Sequence, residues 1–215
     1  MTSPLTATDP TLEVLQISPV IPVVVLHDAD QAVPLAEALL SGGIAVIEVT
    51  LRTKAGLEAI ERIARSLPQM RVGAGTVLTA DQALAAQQAG AQFVVTPGSP
   101  PGLVEAVLRT GLPLLAGAST LTEIMTLMER GHRALKFFPA EQSGGRDYLR
   151  AVHGPLPAAS FCPTGGITPH NAAGYLALPN VSCVGGSWLS PPDVCAAGDW
   201  AAVEQLARHA SRLGS

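Results

Sequence analysis

One pattern recurs eight times along the chain: a short apolar run, a Gly- or Pro-bearing turn, then an amphipathic stretch. The apolar runs cover residues 20–26, 44–50, 71–77, 93–97, 112–116, 134–139, 160–164 and 182–186. Their length and β-branched content favour strands. The intervening segments, 30–40, 54–66, 79–89, 100–109, 120–129, 145–152, 168–176 and 199–213, carry apolar residues at helical spacing. Leu57, Ile60, Ile63 and Ala64 share one such face, as do Trp200, Val203, Leu206 and Ala210. Thr79, with Gln82 three residues on, resembles a capping box. A further helix is expected over residues 11–18, ahead of the first strand. Regular alternation implies right-handed crossovers and a parallel sheet. Eight units favour closure, so the expected fold is a single (β/α)8 barrel with an N-terminal helix. The alternative, an open doubly wound sheet, usually carries a Gly-rich turn after its first strand, and none follows Leu26.

Composition is consistent with that architecture. The chain has 215 residues, somewhat below the roughly 250 typical of such barrels, and 47% are hydrophobic, enough for a sizeable core. Residues 11–215 are expected to form the barrel domain and residues 1–10 a frayed arm. The net charge of −4 comes without any basic run, so nucleic acid is an unfavoured partner. An anionic substrate must be held by local groups rather than by a global field. The three cysteines, Cys162, Cys183 and Cys195, form no CxxC pair, as expected of a reducing, cytoplasmic setting without a metal cluster. The opening MTSPLTATDP lacks the features of a signal peptide, and no apolar run reaches the roughly 20 residues of a membrane span.

In a barrel, reactive groups gather at the C-terminal ends of strands. The sixth strand reads ALKFFPA, and its Lys136 is one of only two lysines, the other being Lys54. A lysine between Leu135 and Phe137 must be desolvated or paired. Desolvation favours the neutral, nucleophilic amine; the plain alternative is a structural pair with a neighbouring carboxylate. Alternation puts Lys136 and Phe138 on one face of the strand. In the second strand, AVIEVTLRT, the apolar set Ile47, Val49 and Leu51 suits the helix side, so Glu48 and Arg52 should point inward and upward. A carboxylate inside a strand is costly unless paired or working. It reads either as a general base beside an arginine fork for a substrate carboxylate, or as half of a plain Glu48–Arg52 pair.

The third strand ends GAGTV, where Gly73 and Gly75 read chiefly as close packing inside the barrel and Thr76 offers a hydroxyl at the mouth. Pro97 ends the fourth strand and shapes the rim. The seventh and eighth strands end in PTGGIT and VGGSW. Double glycines there suit phosphate, which barrels often hold at these two loops. Two tight turns without a ligand are the alternative.

The segments EVTLRT, VGAGTV, AQFVVTPG, LKFFPAE, FCPTGGI and VGGSWL occur in order over residues 20–210. Together they resemble the 2-keto-3-deoxy-6-phosphogluconate (KDPG) aldolase family, which includes 4-hydroxy-2-oxoglutarate (KHG) aldolase activity. The resemblance implies a class I aldolase: a homotrimer of barrels that uses no metal and no other cofactor. It implies Lys136 as the Schiff-base lysine and Glu48 as general acid/base. Arg52 and Thr76 would hold the pyruvate carboxylate, and Pro97 and Phe138 would line the pocket. Thr164, Gly165, Gly166, Gly186 and Ser187 would hold the distal phosphate. The implied small-molecule partners are pyruvate, glyceraldehyde 3-phosphate and glyoxylate. His27 and Asp28 follow the first strand, where some relatives carry basic residues, so rim contacts there differ. Three other classes remain in play. A sugar-phosphate epimerase would share the double glycines but not need the strand lysine. A metal-dependent aldolase needs clustered ligands, and of the five histidines only His27 stands beside a carboxylate at a strand end. A non-catalytic binding barrel would keep the phosphate loops but gain nothing from Lys136 beside Glu48.

Overall fold

A computed structural model describes residues 9–214. Eight strands form one sheet: β1 (Val20–Val24), β2 (Val46–Thr50), β3 (Arg71–Gly75), β4 (Val94–Val95), β5 (Leu114–Ala118), β6 (Ala134–Phe137), β7 (Ser160–Pro163) and β8 (Val184–Gly186). Each pairs in parallel with its sequence neighbour from β1 through β7, and β8 pairs with β1. Single bridges, Phe161 to Val181 and Thr164 to Gly185, join β7 to the β8 segment and close the barrel.

Among the described residues, ten α-helices accompany the strands: α1 (Pro10–Leu15), α2 (Ala32–Ser41), α3 (Gly56–Ser66), α4 (Ala80–Gln88), α5 (Pro101–Thr110), α6 (Leu121–Glu129), α7 (Gly145–His153), α8 (Pro169–Leu176), α9 (Pro192–Ala197) and α10 (Trp200–Ala210). The expected helices are all present with shifted ends. Thr79 caps α4 by accepting from Gln82 N at 3.2 Å, but the Gln82 side chain reaches past it to Leu78 N at 2.7 Å. The expected helix over 11–18 begins at Pro10 and stops at Leu15, and residues 1–8 of the expected arm lie outside the described residues. The fourth strand shrinks to two residues, and Pro97, with no N–H to donate, cannot extend it at its C-terminal end. Its pairing continues as separate bonds, such as Gln92 N to Val72 O at 2.8 Å and Ala74 N to Phe93 O at 3.0 Å. Sequence periodicity gave no sign of α9, whose six residues are too few to show a period.

Alternation along the strands separates two cores. Ile47, Val49, Val72, Ala74, Leu135 and Phe137 face outward and pack beneath the helices. Ile21, Val46, Phe93, Val95, Leu115, Ala134, Cys162 and Cys183 fill the interior together with Val14 and Leu15 of α1. Helix α1 therefore stoppers the N-terminal end of the barrel. Asp9 fixes it there: one carboxylate oxygen caps Thr11 N at 2.9 Å, and the other accepts from Arg133 N at 3.2 Å, at the foot of β6. With the lower interior solid, the only place left for polar chemistry is the upper layer.

Gly73 belongs to the solid part, since a β-carbon there would land inside the Phe93 ring. Overpacking of this kind costs about 1–3 kcal/mol. Gly73→Ala is expected to lower unfolding stability in urea by that amount while leaving the circular dichroism of the folded protein unchanged. A stability equal to the parent's would show that the layer is loosely filled.

Candidate active site

The upper interior layer holds an ion pair. Lys136 of β6 and Glu48 of β2 both point inward, and Lys136 Nζ lies 3.2 Å from Glu48 Oε1 and 3.5 Å from Oε2. Lys136 is 5% exposed and Glu48 2%, so each charge is compensated almost wholly by the other. Glu48 is thus paired with Lys136 and not with Arg52, correcting the plain Glu48–Arg52 alternative. Room for its carboxylate comes from Gly75 on the adjacent strand: a β-carbon there would lie 2.5 Å from Glu48 Cγ and 2.6 Å from Cδ. Both third-strand glycines are packing devices, but the neighbour that Gly75 accommodates is a charged one. The Phe138 ring, two residues above Lys136, stands with its centroid 5.5 Å from Nζ.

Four residues above Glu48, the exposed Arg52 donates from Nε to Thr76 Oγ1 at 3.3 Å. Thr76 has φ of 56°, the left-handed region, which costs a non-glycine residue roughly 1–3 kcal/mol. Such strain collects where a side chain must be aimed, and here it aims a hydroxyl at the guanidinium. Arg52 and Thr76 thus form one donor cluster at the mouth. Pro97 ends the fourth strand at the same end of the barrel, packed where a β-carbon on Gly117 would otherwise stand.

Reaching from Arg52 to the turn after β7, a cleft of about 320 Å³ is lined by Val23, Val25, Arg52, Phe138, Thr164, Gly165, Gly166, Ile167, Gly185 and Ser187. Of these, Val23, Val25 and Ile167 were not singled out in the sequence, and Gly185 only as half of the double glycine in VGGSW. The first two were legible: Ile21, Val23 and Val25 alternate onto the inner face of β1. The two glycines of the eighth strand turn their open sides in opposite directions. A β-carbon on Gly186 would enter the Trp188 indole, whereas one on Gly185 would lie 3.0 Å from Thr164 Cγ2. The side of Gly186 therefore faces Trp188, and Gly185 is the glycine lining the cleft.

The turn after β7 has a polarity of its own. Thr164 O accepts from Ala140 N at 2.8 Å, Gly165 O from Glu141 N at 3.2 Å, and Gly166 O from Asn171 Nδ2 at 3.0 Å. A planar trans peptide sets N–H opposite C=O. With three successive carbonyls drawn toward the β6–α7 loop and α8, the N–H groups of Gly165, Gly166 and Ile167 point the other way. Those of Gly166 and Ile167 donate to no acceptor among the described residues. Gly165 at φ 99° and Gly166 at φ 75° make this winding accessible. Successive N–H groups so turned form an anion-binding concavity. The loop behind is braced by Tyr175, whose hydroxyl donates to Glu141; burial, then that bond, pushes the phenol up.

Below the pair lie Cys162, in register with Lys136, and Cys183. All three cysteines are free and buried. Desolvation, reinforced by Cys162, holds the Cys183 thiol well above its ordinary range, so it stays protonated. His27 and Asp28 are exposed at the rim, where Asp28 caps a short turn by accepting from Asp30 N at 2.9 Å. Among the described residues, no three His, Cys, Asp or Glu side chains gather as a metal-ligand set.

These features match known proteins. Residues 12–206 fit the model of the KDPG and KHG aldolase family. A 2-dehydro-3-deoxy-phosphogluconate aldolase of Pseudoalteromonas atlantica is 48% identical over 198 residues, 92% of each chain. The crystal structure of a KDPG aldolase from Legionella pneumophila, with pyruvate captured as a covalent carbinolamine intermediate, superposes with a TM-score of 0.92 at 42% identity, covering 95% of this chain and 98% of that one. The 2-keto-3-deoxy-6-phosphogluconate aldolase of Zymomonas mobilis with 3-phosphoglycerate gives a TM-score of 0.91 at 42% identity, covering 96% and 97%. An inward lysine–glutamate pair beneath a cleft, a family model spanning nearly the whole barrel and relatives close to half identical lead to one assignment: the chain belongs to the KDPG and KHG aldolase family.

Proposed function

We propose that this protein is a class I aldolase that cleaves 2-dehydro-3-deoxy-6-phosphogluconate to pyruvate and glyceraldehyde 3-phosphate, and 4-hydroxy-2-oxoglutarate to pyruvate and glyoxylate. The observation that carries the reading is the buried Lys136–Glu48 contact of 3.2 Å, with Nζ 5.5 Å from the ring of Phe138, a residue of the cleft wall. Moving one proton along that contact leaves a neutral amine and a carboxylic acid. The Lys136 amine adds to the C2 ketone, and Glu48 returns the proton to the carbinolamine hydroxyl, which leaves as water. The product is a protonated imine, with Glu48 again a carboxylate. Glu48, directly or through a water, then takes the C4 hydroxyl proton. The C3–C4 bond breaks, its electrons pass into the imine to form the enamine, and the aldehyde departs. Protonation at C3 and addition of water release pyruvate and restore Lys136.

Arg52 and Thr76 hold the substrate carboxylate beside this centre, with Pro97 and Phe138 as its walls. The turned N–H groups of Gly165 and Gly166, with Thr164 and Ser187, receive the distal phosphate; Gly186 supports them by seating Trp188. The bound Legionella carbinolamine and Zymomonas 3-phosphoglycerate, both in proteins 42% identical, support these two subsites. We further infer the homotrimer that the family resemblance implies; Leu108 of α5 and Leu121 and Met125 of α6 are exposed apolar side chains available to an interface. Three free thiols support a reducing, cytoplasmic setting. No helix among the described residues is long and apolar enough to cross a membrane.

Borohydride added with pyruvate is expected to inactivate the enzyme irreversibly and to place the added mass on Lys136. Modification of Lys54, or none, would overturn the assignment. Extensive chelation is expected to leave turnover unchanged; a loss restored by a divalent ion would favour the metal-dependent class. Glu48→Gln should lower kcat about 10²–10⁴-fold, while pyruvate trapping slows but still occurs because the Lys136 nucleophile is intact. Gly75→Ala pushes the same carboxylate aside, so its loss and that of Glu48→Gln should not add in the double variant. Additive losses would mean that Gly75 acts elsewhere.

A further inference from the structure

We propose that Asn171 is a positioning residue that sets how tightly the enzyme holds a distal phosphate. The inference rests on reading the turn after β7 as the phosphate seat. Three carbonyls are drawn back to turn its N–H groups outward, and two of the three restraints are backbone donors, Ala140 N and Glu141 N. The third is a side chain. Asn171 Nδ2 donates to Gly166 O at 3.0 Å, while its Oδ1 accepts from Thr168 N at 2.8 Å. Gly166 O belongs to the peptide whose other end is the Ile167 N–H. Holding that oxygen toward α8 fixes the direction of that N–H, which donates to nothing among the described residues.

The clamp is needed because the turn is intrinsically loose. Gly165 and Gly166 both sit at positive φ with no side chain to restrict rotation. Gly166 itself must stay bare, since a β-carbon there would come within 2.6 Å of Glu141 Cγ. Rigidity at the Gly166–Ile167 peptide has to come from outside it, and the amide of Asn171 supplies it. The two ends of that amide do different things. Oδ1 secures the start of α8, whereas Nδ2 orients the turn, so aspartate would keep the first role and lose the second.

The residue lies outside the reacting centre, so its effect should follow the phosphate and nothing else. The probes are inorganic phosphate as a competitive inhibitor, the phosphorylated substrate, its unphosphorylated analogue 2-dehydro-3-deoxygluconate, and pyruvate trapping by borohydride. Asn171→Ala and Asn171→Asp are both expected to raise the Ki of phosphate and the KM of the phosphorylated substrate about tenfold, the effect of one charge-supporting hydrogen bond. The KM of the unphosphorylated analogue, kcat and trapping should stay within about twofold of the parent. If Asn171→Ala does not fold, Asn171→Thr takes its place. Parental affinities in the variants, or weakening in Asn171→Asp alone, which added negative charge would explain, overturn the clamp. Equal losses on the phosphorylated and unphosphorylated substrates overturn it too, showing a merely structural residue. If phosphate does not compete even in the parent enzyme, the phosphate-seat reading itself falls and the clamp with it, whereas competition in the parent with unaffected variants removes the clamp alone.

Discussion

Two opposite charges buried inside a barrel set the terms for the rest of this structure. Neither Lys136 nor Glu48 could stay there alone, because an unpaired charge in that layer would cost several kcal/mol. Their pairing requires β2 and β6, which lie across the barrel from one another, to be aimed inward at the same height. That height is fixed by what lies beneath: Val46 below Glu48, Ala134 below Lys136, and Phe93 filling the floor between. It is fixed laterally by Gly75, which yields its side-chain space to the carboxylate. The packing of the lower barrel and the chemistry of the upper barrel are thus one problem, solved by alternating large, small and absent side chains.

Much of this is written locally. Period-two alternation in AVIEVTLRT and ALKFFPA correctly turns Glu48 and Lys136 inward, because each strand has one face that must meet the helices; Arg52, past the end of β2, is exposed at the mouth instead. What local pattern cannot give is the partner. Glu48 and Lys136 are 88 residues apart, and only the closure of the barrel brings them together; within β2 alone, Arg52 is an equally reasonable mate. The neighbouring glycines of VGGSW mark a second limit. With no side chains to carry a phase, Gly185 and Gly186 look alike, and the distinction lies in Trp188 and Thr164, one on each side of the sheet. The role of Asn171 is hidden for a related reason. In sequence it is a helix-start residue, and its second bond goes to a carbonyl whose direction only the folded turn defines.

The two ends of the site are built by different means. At the proposed carboxylate end, charge and strain cooperate: Arg52 supplies the cation, and Thr76 is held in an unfavourable backbone conformation beside it. At the proposed phosphate end the cleft lining contains no cationic side chain besides Arg52. Attraction for an anion there would come from partial charges on backbone N–H groups, which are weak singly and useful only when convergent. The first end therefore depends on composition and the second on geometry.

The stopper formed by α1 makes the barrel a vessel with one neck. Pyruvate cannot drain through a floor packed with Val14, Leu15, Ile21 and Phe93, and neither can the aldehyde. Everything that enters or leaves passes the same opening, including the water that must hydrolyse the imine. Traffic is consequently ordered: the aldehyde must clear the neck before water can reach the carbon bound to Lys136. Until it does, the enamine faces the molecule it has just released, and carbon–carbon bond formation competes with departure. A sealed floor thus makes cleavage and synthesis two directions of travel through one doorway, with the choice left to the concentrations outside.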